Sequence, residues 1–167
     1  MTVIKGPAAV FGDFVSGDVI LPGRYAFMPS EEAVPHALAE LDATANARLR
    51  AHPILIAGEA FGYGSGREAS ARVLKAAGVK AVVGGPFARL FFRNAINNGV
   101  LTIECPALAS AGLEDGVEVI IDLDACVIRA AGRDFPIAAT PPVIRDIVAA
   151  GSIVDYGRAV VARGDVR

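Results

Sequence analysis

The sequence predicts an α/β fold with a central mixed, largely parallel sheet, and three observations predict it. Between residues 54 and 105, short apolar runs alternate with segments of helical spacing. Glycine-marked turns separate them. After Pro106 the texture changes to short alternating runs split by Asp or Gly. The first pattern is that of strand–helix–strand crossovers on a parallel sheet, and the last is that of a β-meander. A chain of 167 residues has the length of one domain, and a single domain over residues 1–167 is expected.

Each element follows in order. Val3 to Tyr25 is rich in Gly, Asp and Val and reads as short strands and turns, with Asp18 to Leu21 as a strand entering the Pro22-Gly23 turn. Ser30, followed by Glu31 and Glu32, opens a helix that fades near Arg50. Ile54 to Ala57 is a continuous apolar run suited to a buried parallel strand. A helix from Arg67 to Ala77 follows, and Gly78 ends it. Lys80 to Gly84 is the next strand. Pro86 sits in the first turn of a helix carrying Phe87, Leu90, Phe91 and Ala95, which Asn97-Asn98-Gly99 stops. Val100 to Cys105 completes a βαβαβ unit. Residues 116–121, 125–129 and 134–138 form the meander. Pro141-Pro142 starts a last helix over residues 143–150, and the residues after Gly151 read as a loose tail.

Composition excludes several classes of function. Hydrophobic residues at 53% and charged residues at 20% argue against disorder. Sixteen basic against 18 acidic residues leave no clustered positive patch for nucleic acid. Gly or charge breaks every apolar run before the ~18 residues a membrane helix requires. The N-terminus lacks the pattern of a secretory signal. Cys105 and Cys126 make neither a metal motif nor a disulfide framework, and Cys105 reads as a small buried hydrophobe. A reducing, cytoplasmic setting is expected.

The turn that can carry chemistry is Gly62-Tyr63-Gly64-Ser65-Gly66-Arg67-Glu68, between a strand and a helix. Ligands of open α/β sheets bind outside the carboxyl ends of the strands. A helix start there offers free N–H groups, Gly64 and Gly66 let the backbone approach a ligand, and Arg67 adds a forked cation. The ligand class is a carboxylate or phosphate. The turn is neither a P-loop nor the dinucleotide fingerprint, because the glycine spacings fail. Ser65 has two readings. It caps the helix in the box Ser65-Gly66-Arg67-Glu68, or it is a base or nucleophile whose alkoxide is stabilised by the helix start and Arg67. No Ser-His-Asp order involves His36 or His52. Arg89 and Arg93, four apart on one helix face, either serve an anionic site or lie solvated or against a partner.

Gly58 to Cys105, above all Phe87 to Gly99 (FARLFFRNAINNG), resembles the small subunit of 3-isopropylmalate dehydratase. Gly12-Asp13 and Asp18 to Tyr25 resemble that family's opening segment. The family is the detached counterpart of the swivelling domain of aconitase. The resemblance implies a β/β/α swivelling domain that closes over a separate large subunit. It implies that the large subunit holds a [4Fe–4S] cluster and that this chain binds none. It also implies a hydro-lyase reaction on a small hydroxy diacid, in leucine biosynthesis for isopropylmalate itself. The empty docking face of an isolated chain leaves room for a homo-oligomer.

The family motif Gly-Ser-Ser-Arg-Glu makes Ser65 the implied catalytic base and Arg67 the group that holds a substrate carboxylate or steadies the alkoxide. Three departures stand out: Gly66 replaces the second serine, Ala69 replaces the usual histidine, and Val15-Ser16-Gly17-Asp18 replaces an Asp-Thr-Asp run. Such erosion is what a non-catalytic anion-binding module would also show. The loop after Arg24-Tyr25 reads Ala26-Phe27-Met28, without the arginine with which homoaconitase-type members meet an extra carboxylate. Phe27 and Met28 therefore imply an apolar substituent, as in isopropylmalate or dimethylmalate, or else are core or interface residues. Arg24 is a substrate contact or a salt bridge to the partner.

Overall fold

Short apolar runs become strands here because the sheet buries both of their faces. A computed structural model describes residues 2–164. Its elements are β1 (Val3–Val10), α1 (Gly17–Ile20), α2 (Ser30–Ala33), α3 (Ala45–Ala51), β2 (Ile54–Ala57), α4 (Ala69–Ala76), β3 (Ala81–Gly84) and α5 (Arg89–Asn97). They continue with β4 (Leu101–Glu104), α6 (Pro106–Ala109), β5 (Val117–Asp122), β6 (Val127–Ala130), β7 (Arg133–Pro136), α7 (Pro142–Ala150) and α8 (Ile153–Arg163). The strands make one sheet in the order β4-β3-β2-β1-β5-β6-β7. The β4, β3, β2 and β1 strands pair in parallel. The β5–β7 meander continues the sheet antiparallel from β1. The expected βαβαβ unit and meander are both present.

Side chains alternate across a strand, so one run feeds two cores. Leu55, Ala57 and Val82 face a cluster with Leu49, Leu74, Phe61 and Phe91. Ile54, Ile56 and Val83 face the other, with Leu108, Ile121 and Ile128. All four residues of β2, and all four of β3, are buried.

Several elements differ from expectation. Asp18 to Leu21 is not a strand. Ser16 accepts a hydrogen bond from the Val19 amide at 3.2 Å and caps the single turn α1. The helix from Ser30 toward Arg50 is broken into α2, a 3₁₀ turn at Val34–His36 and α3. Leu38, with φ of 55°, turns the chain between them and is fully buried. Asn46 donates to the carbonyls of Val34 and Ala37, replacing the lost helical bonds. Pro86 lies before its helix rather than in it, since Ala88 is extended and α5 starts at Arg89. The residues after Gly151 are not a loose tail. Ser152 caps α8, which packs on α7 and α5 as far as Arg163. Residues 165–167 lie outside the described residues.

Candidate functional site

Two loops leave the carboxyl ends of the parallel neighbours β1 and β2, and they are laced together. Gly58 N–H donates to Gly12 O at 3.2 Å, and Glu59 N–H to the Asp13 carboxylate at 2.8 Å. Phe14 N–H donates to Glu59 O, Gly62 N–H to Val15 O, and Gly17 N–H to Tyr63 O. The lacing needs glycine at 58, where a Cβ would stand 2.0 Å from an Asp13 carboxylate oxygen. Below the turn, the buried Ser70 hydroxyl donates to Gly17 O at 2.8 Å. The aspartate of the α1 turn is thereby brought to the serine of the β2–α4 turn.

Ser65, Arg67 and Asp18 form the polar group that results. The Arg67 guanidinium is ion-paired with the Asp18 carboxylate. The Ser65 hydroxyl stands 3.5 Å from the same carboxylate oxygen, a long contact that leaves it able to turn to another partner. All three are exposed. The amides of Ser65, Gly66 and Arg67 donate to no backbone carbonyl among the described residues. An anion resting on this turn would meet free donors and one guanidinium.

The capping reading of Ser65 does not describe this arrangement. Helix α4 begins at Ala69, with Glu68 in the cap position, and Ser65 makes no cap bond. The Glu68 carboxylate instead accepts from the Asn98 side chain at 2.9 Å. The turn is held from α5: Asn94 donates to Gly66 O at 3.0 Å. Leu90 lies against Gly66, where a Cβ would meet its Cδ1 at 2.4 Å. Gly66 has φ of 64° and Gly64 φ of 99°, conformations that L residues avoid. Glycine at 66 therefore has a local steric cause, and Ala69, 7% exposed, has a packing one.

The loop after Gly23 is less uniform. Gly23 sits beside the Arg67 guanidinium, which a Cβ there would meet at 3.1 Å. Arg24 points into other company. Its guanidinium lies 4.7 Å from the Tyr25 ring centroid and is ion-paired with Glu40. Tyr25 first, and Glu40 after it, hold that guanidinium above its ordinary pKa. Met28 is half-buried and packs on the core, whereas Phe27 is 100% exposed.

Sequence reasoning missed Asp18 as a member of this group, and Asn94 and Leu90 as its supports. The acid in the first turn after Ser16 was visible, but nothing local shows that α1 lies beside the β2–α4 turn. An exposed apolar rim also surrounds the site: Phe14 is 60% exposed, Tyr63 44% and Leu90 55%. Phe14 and Tyr63 meet edge to face at 6.5 Å. No group of three or more His, Cys, Asp or Glu among the described residues could hold a metal. Cys105 is buried and Cys126 half-buried, both unpaired. Two cysteines are too few to ligate an iron–sulfur cluster. No helix among the described residues is long and apolar enough to cross a membrane.

Residues 30–108 match the aconitase C-terminal domain family. The 3-isopropylmalate dehydratase small subunit of Moorella thermoacetica is 39% identical over 92% of this chain and 94% of its own length. The chain belongs to the 3-isopropylmalate dehydratase small-subunit family. The 2,3-dimethylmalate dehydratase small subunit of Eubacterium barkeri is also 39% identical, over 91% of this chain and 94% of its own. The crystal structure of 3-isopropylmalate dehydratase from Methanocaldococcus jannaschii superimposes with a TM-score of 0.84 at 34% identity. It covers 98% of this chain and 99% of that one. The mixed α/β architecture is thus the family's. Its relatives are dehydratase subunits named as small, a name that implies a large-subunit partner.

Proposed function

We propose that the chain is the small subunit of a hydro-lyase acting on an alkyl-substituted malate, with Ser65 as its base. The observation that carries this reading is the meeting of Ser65, Arg67 and Asp18 on an open turn with unpaired amides. In the reaction, Ser65 takes the proton from the carbon beside the hydroxyl-bearing one. That C–H electron pair becomes the double bond as the C–O bond breaks; the hydroxyl leaves with the C–O pair, and the proton held by Ser65 balances it as released water. Arg67 trades Asp18 for a substrate carboxylate, which fixes the carbon near Ser65 Oγ. Gly64 and Gly66 let the backbone amides reach the same anion.

An exposed serine is a poor base, because water on the open turn screens the amides and the guanidinium that would lower the alkoxide's cost. Closure by a second chain would remove that water. The rim of Phe14, Tyr63 and Leu90 suits such a partner, and we assign it to an iron–sulfur large subunit. The cluster's ligands belong to that subunit. The setting we assign is the cytoplasm.

Phe27 and Met28 give the substrate's substituent an apolar neighbour, and the Arg72 guanidinium at this loop is engaged with the Ala26 carbonyl at 3.3 Å. Arg24 reaches substrate only by exchanging Glu40, and it otherwise tethers the loop. Isopropylmalate, of the leucine pathway, is the first substrate by this reading. Dimethylmalate is the second, favoured by the equal identity of the Eubacterium barkeri relative.

Anaerobic reconstitution with the cognate large subunit tests the reading. Turnover of isopropylmalate or dimethylmalate, abolished in Ser65→Ala while the complex still forms, supports it. Turnover of citrate or homocitrate overturns the substituent argument. A stable complex that turns over none of them overturns the catalytic reading in favour of an anion-binding module.

A further inference from the structure

Helix α5 has two working faces. Leu90 and Asn94 meet the Ser65 turn. Arg89, Phe92 and Arg93 instead line an open cavity of about 380 Å³, whose far wall is Ile103 and Glu104 of β4 and Ile144 of α7. Arg89, Arg93 and Glu104 hold no ion pair or side-chain hydrogen bond among the described residues. Arg50 shares this unpaired state, whereas Arg24, Arg48, Arg67, Arg129, Arg145 and Arg158 are each ion-paired and Arg72 and Arg133 donate to carbonyls.

Two cations and one carboxylate leave the cavity one positive charge, which a single anionic group would balance. The rest of the lining offers aromatic and aliphatic surface. The volume falls within the ~300–1,000 Å³ of small-ligand pockets. We infer that this cavity binds a small aliphatic monocarboxylate, its anion on Arg89 and Arg93 and its hydrocarbon body against Phe92, Ile103 and Ile144. A dianionic hydroxy diacid fits poorly, because its second carboxylate would lie beside Glu104. The site is therefore separate from the Ser65 turn in place and in ligand chemistry. An amino acid and a simple acid share the recognised features and differ at Glu104, which an ammonium would meet.

Calorimetry on the full chain, repeated on its complex with the large subunit, tests this. Isocaproate is the probe for body plus charge, isoamyl alcohol for body alone and inorganic phosphate for charge alone. The expected result is saturable one-to-one binding of isocaproate, with much weaker binding of the other two. Arg89→Gln and Arg93→Gln should each weaken isocaproate at least tenfold, while Ser65→Ala leaves it unchanged. L-leucine binding that is weakened by Glu104→Gln, with isocaproate unweakened or tightened, assigns the ligand as an amino acid. Leucine binding no better than isocaproate assigns it as a simple acid. Absence of saturable binding by both overturns the inference. So does binding insensitive to both arginine changes, phosphate binding as tight as isocaproate's, or loss of binding in the complex. Both arginines are exposed, and unchanged thermal unfolding of the variants separates lost binding from lost fold.

Discussion

Gly66→Ser restores the residue the family motif carries at this position, and the structure says that it harms this protein. The backbone at Gly66 has φ of 64°. An L residue held there costs about 1–2 kcal/mol. The new Cβ would stand 2.4 Å from Leu90 Cδ1 and 3.2 Å from Leu90 Cβ. The Cδ1 clash is relieved cheaply, because Leu90 is 55% exposed and its tip can swing into solvent. The Cβ contact is not, since it is fixed to α5. Loss of glycine's freedom in the unfolded chain returns about 0.4–1 kcal/mol. These two terms leave about 0–1.6 kcal/mol; with a few tenths for the fixed Leu90 Cβ contact the net destabilisation is about 0.5–2 kcal/mol, which for a chain of this size lowers the unfolding midpoint by about 1–8 °C. Relief of the strain also pulls Gly66 O from Asn94 and moves Ser65 with it. Turnover in the reconstituted complex should therefore fall rather than rise. Thermal unfolding and the dehydration assay on one preparation check both halves. In a double-mutant cycle, Leu90→Ala should return only the contact part of the loss. A Gly66→Ser protein as stable as the parent, or faster, would refute the left-handed turn packed on Leu90.

Other changes separate structure from chemistry. Gly62→Ala places a Cβ 2.2–2.5 Å from buried Phe91 at φ of 80° and should cost about 3 kcal/mol or more, read as a shift of the urea midpoint. Asp18→Asn removes one partner of an exposed pair, so stability should change by less than ~1 kcal/mol, while KM falls because Arg67 has no carboxylate to exchange for the substrate's. The reverse pattern would make Asp18 merely structural. Ser152→Ala should cost about 1 kcal/mol by uncapping α8. Ser152 first, and Arg158 after it, hold the Asp155 carboxyl below its ordinary pKa. A depressed carboxyl stabilises the fold above its unfolded pKa and ceases to do so as pH falls through its folded value. The Ser152→Ala deficit should therefore be full at neutral pH and shrink in acid, as urea titrations at two pH values would show.

The parts of the fold legible in the sequence were those whose cause is local. Ile54 to Ala57 and Val82-Val83 read as buried strands because both faces are apolar, and both do feed two cores. The break between α2 and α3 was hidden because its cause is tertiary. Leu38 is fixed at positive φ by burial and by donating its amide to Ile20 O at 3.0 Å. The error at the C-terminus was of another kind. Ser152 and Asp155 already spelled a helix start, and the Ser152 hydroxyl does accept from the Asp155 amide at 3.0 Å. The exposed Val154 and Val161 weakened the apolar face that would have confirmed it.

At the site, the sequence showed the turn but not its neighbours. Ser65-x-x-Glu68 is both a capping box and a catalytic motif in composition, and local reasoning had no means to choose. The capping reading is removed at long range: Asn98 takes the Glu68 carboxylate, Asn94 takes the Gly66 carbonyl, and Asp18 stands where the Ser65 hydroxyl can reach it. Each of these partners lies 28 or more residues away in the chain. A serine freed from capping yet held between three such anchors keeps its position without spending its hydroxyl. That is the condition for a side chain that must give its proton away and later take one back. It also explains why the turn looks eroded by the family's motif and well packed in space. Glycine at 66 gives up one hydroxyl and in return lets α5 close against the turn that carries the other.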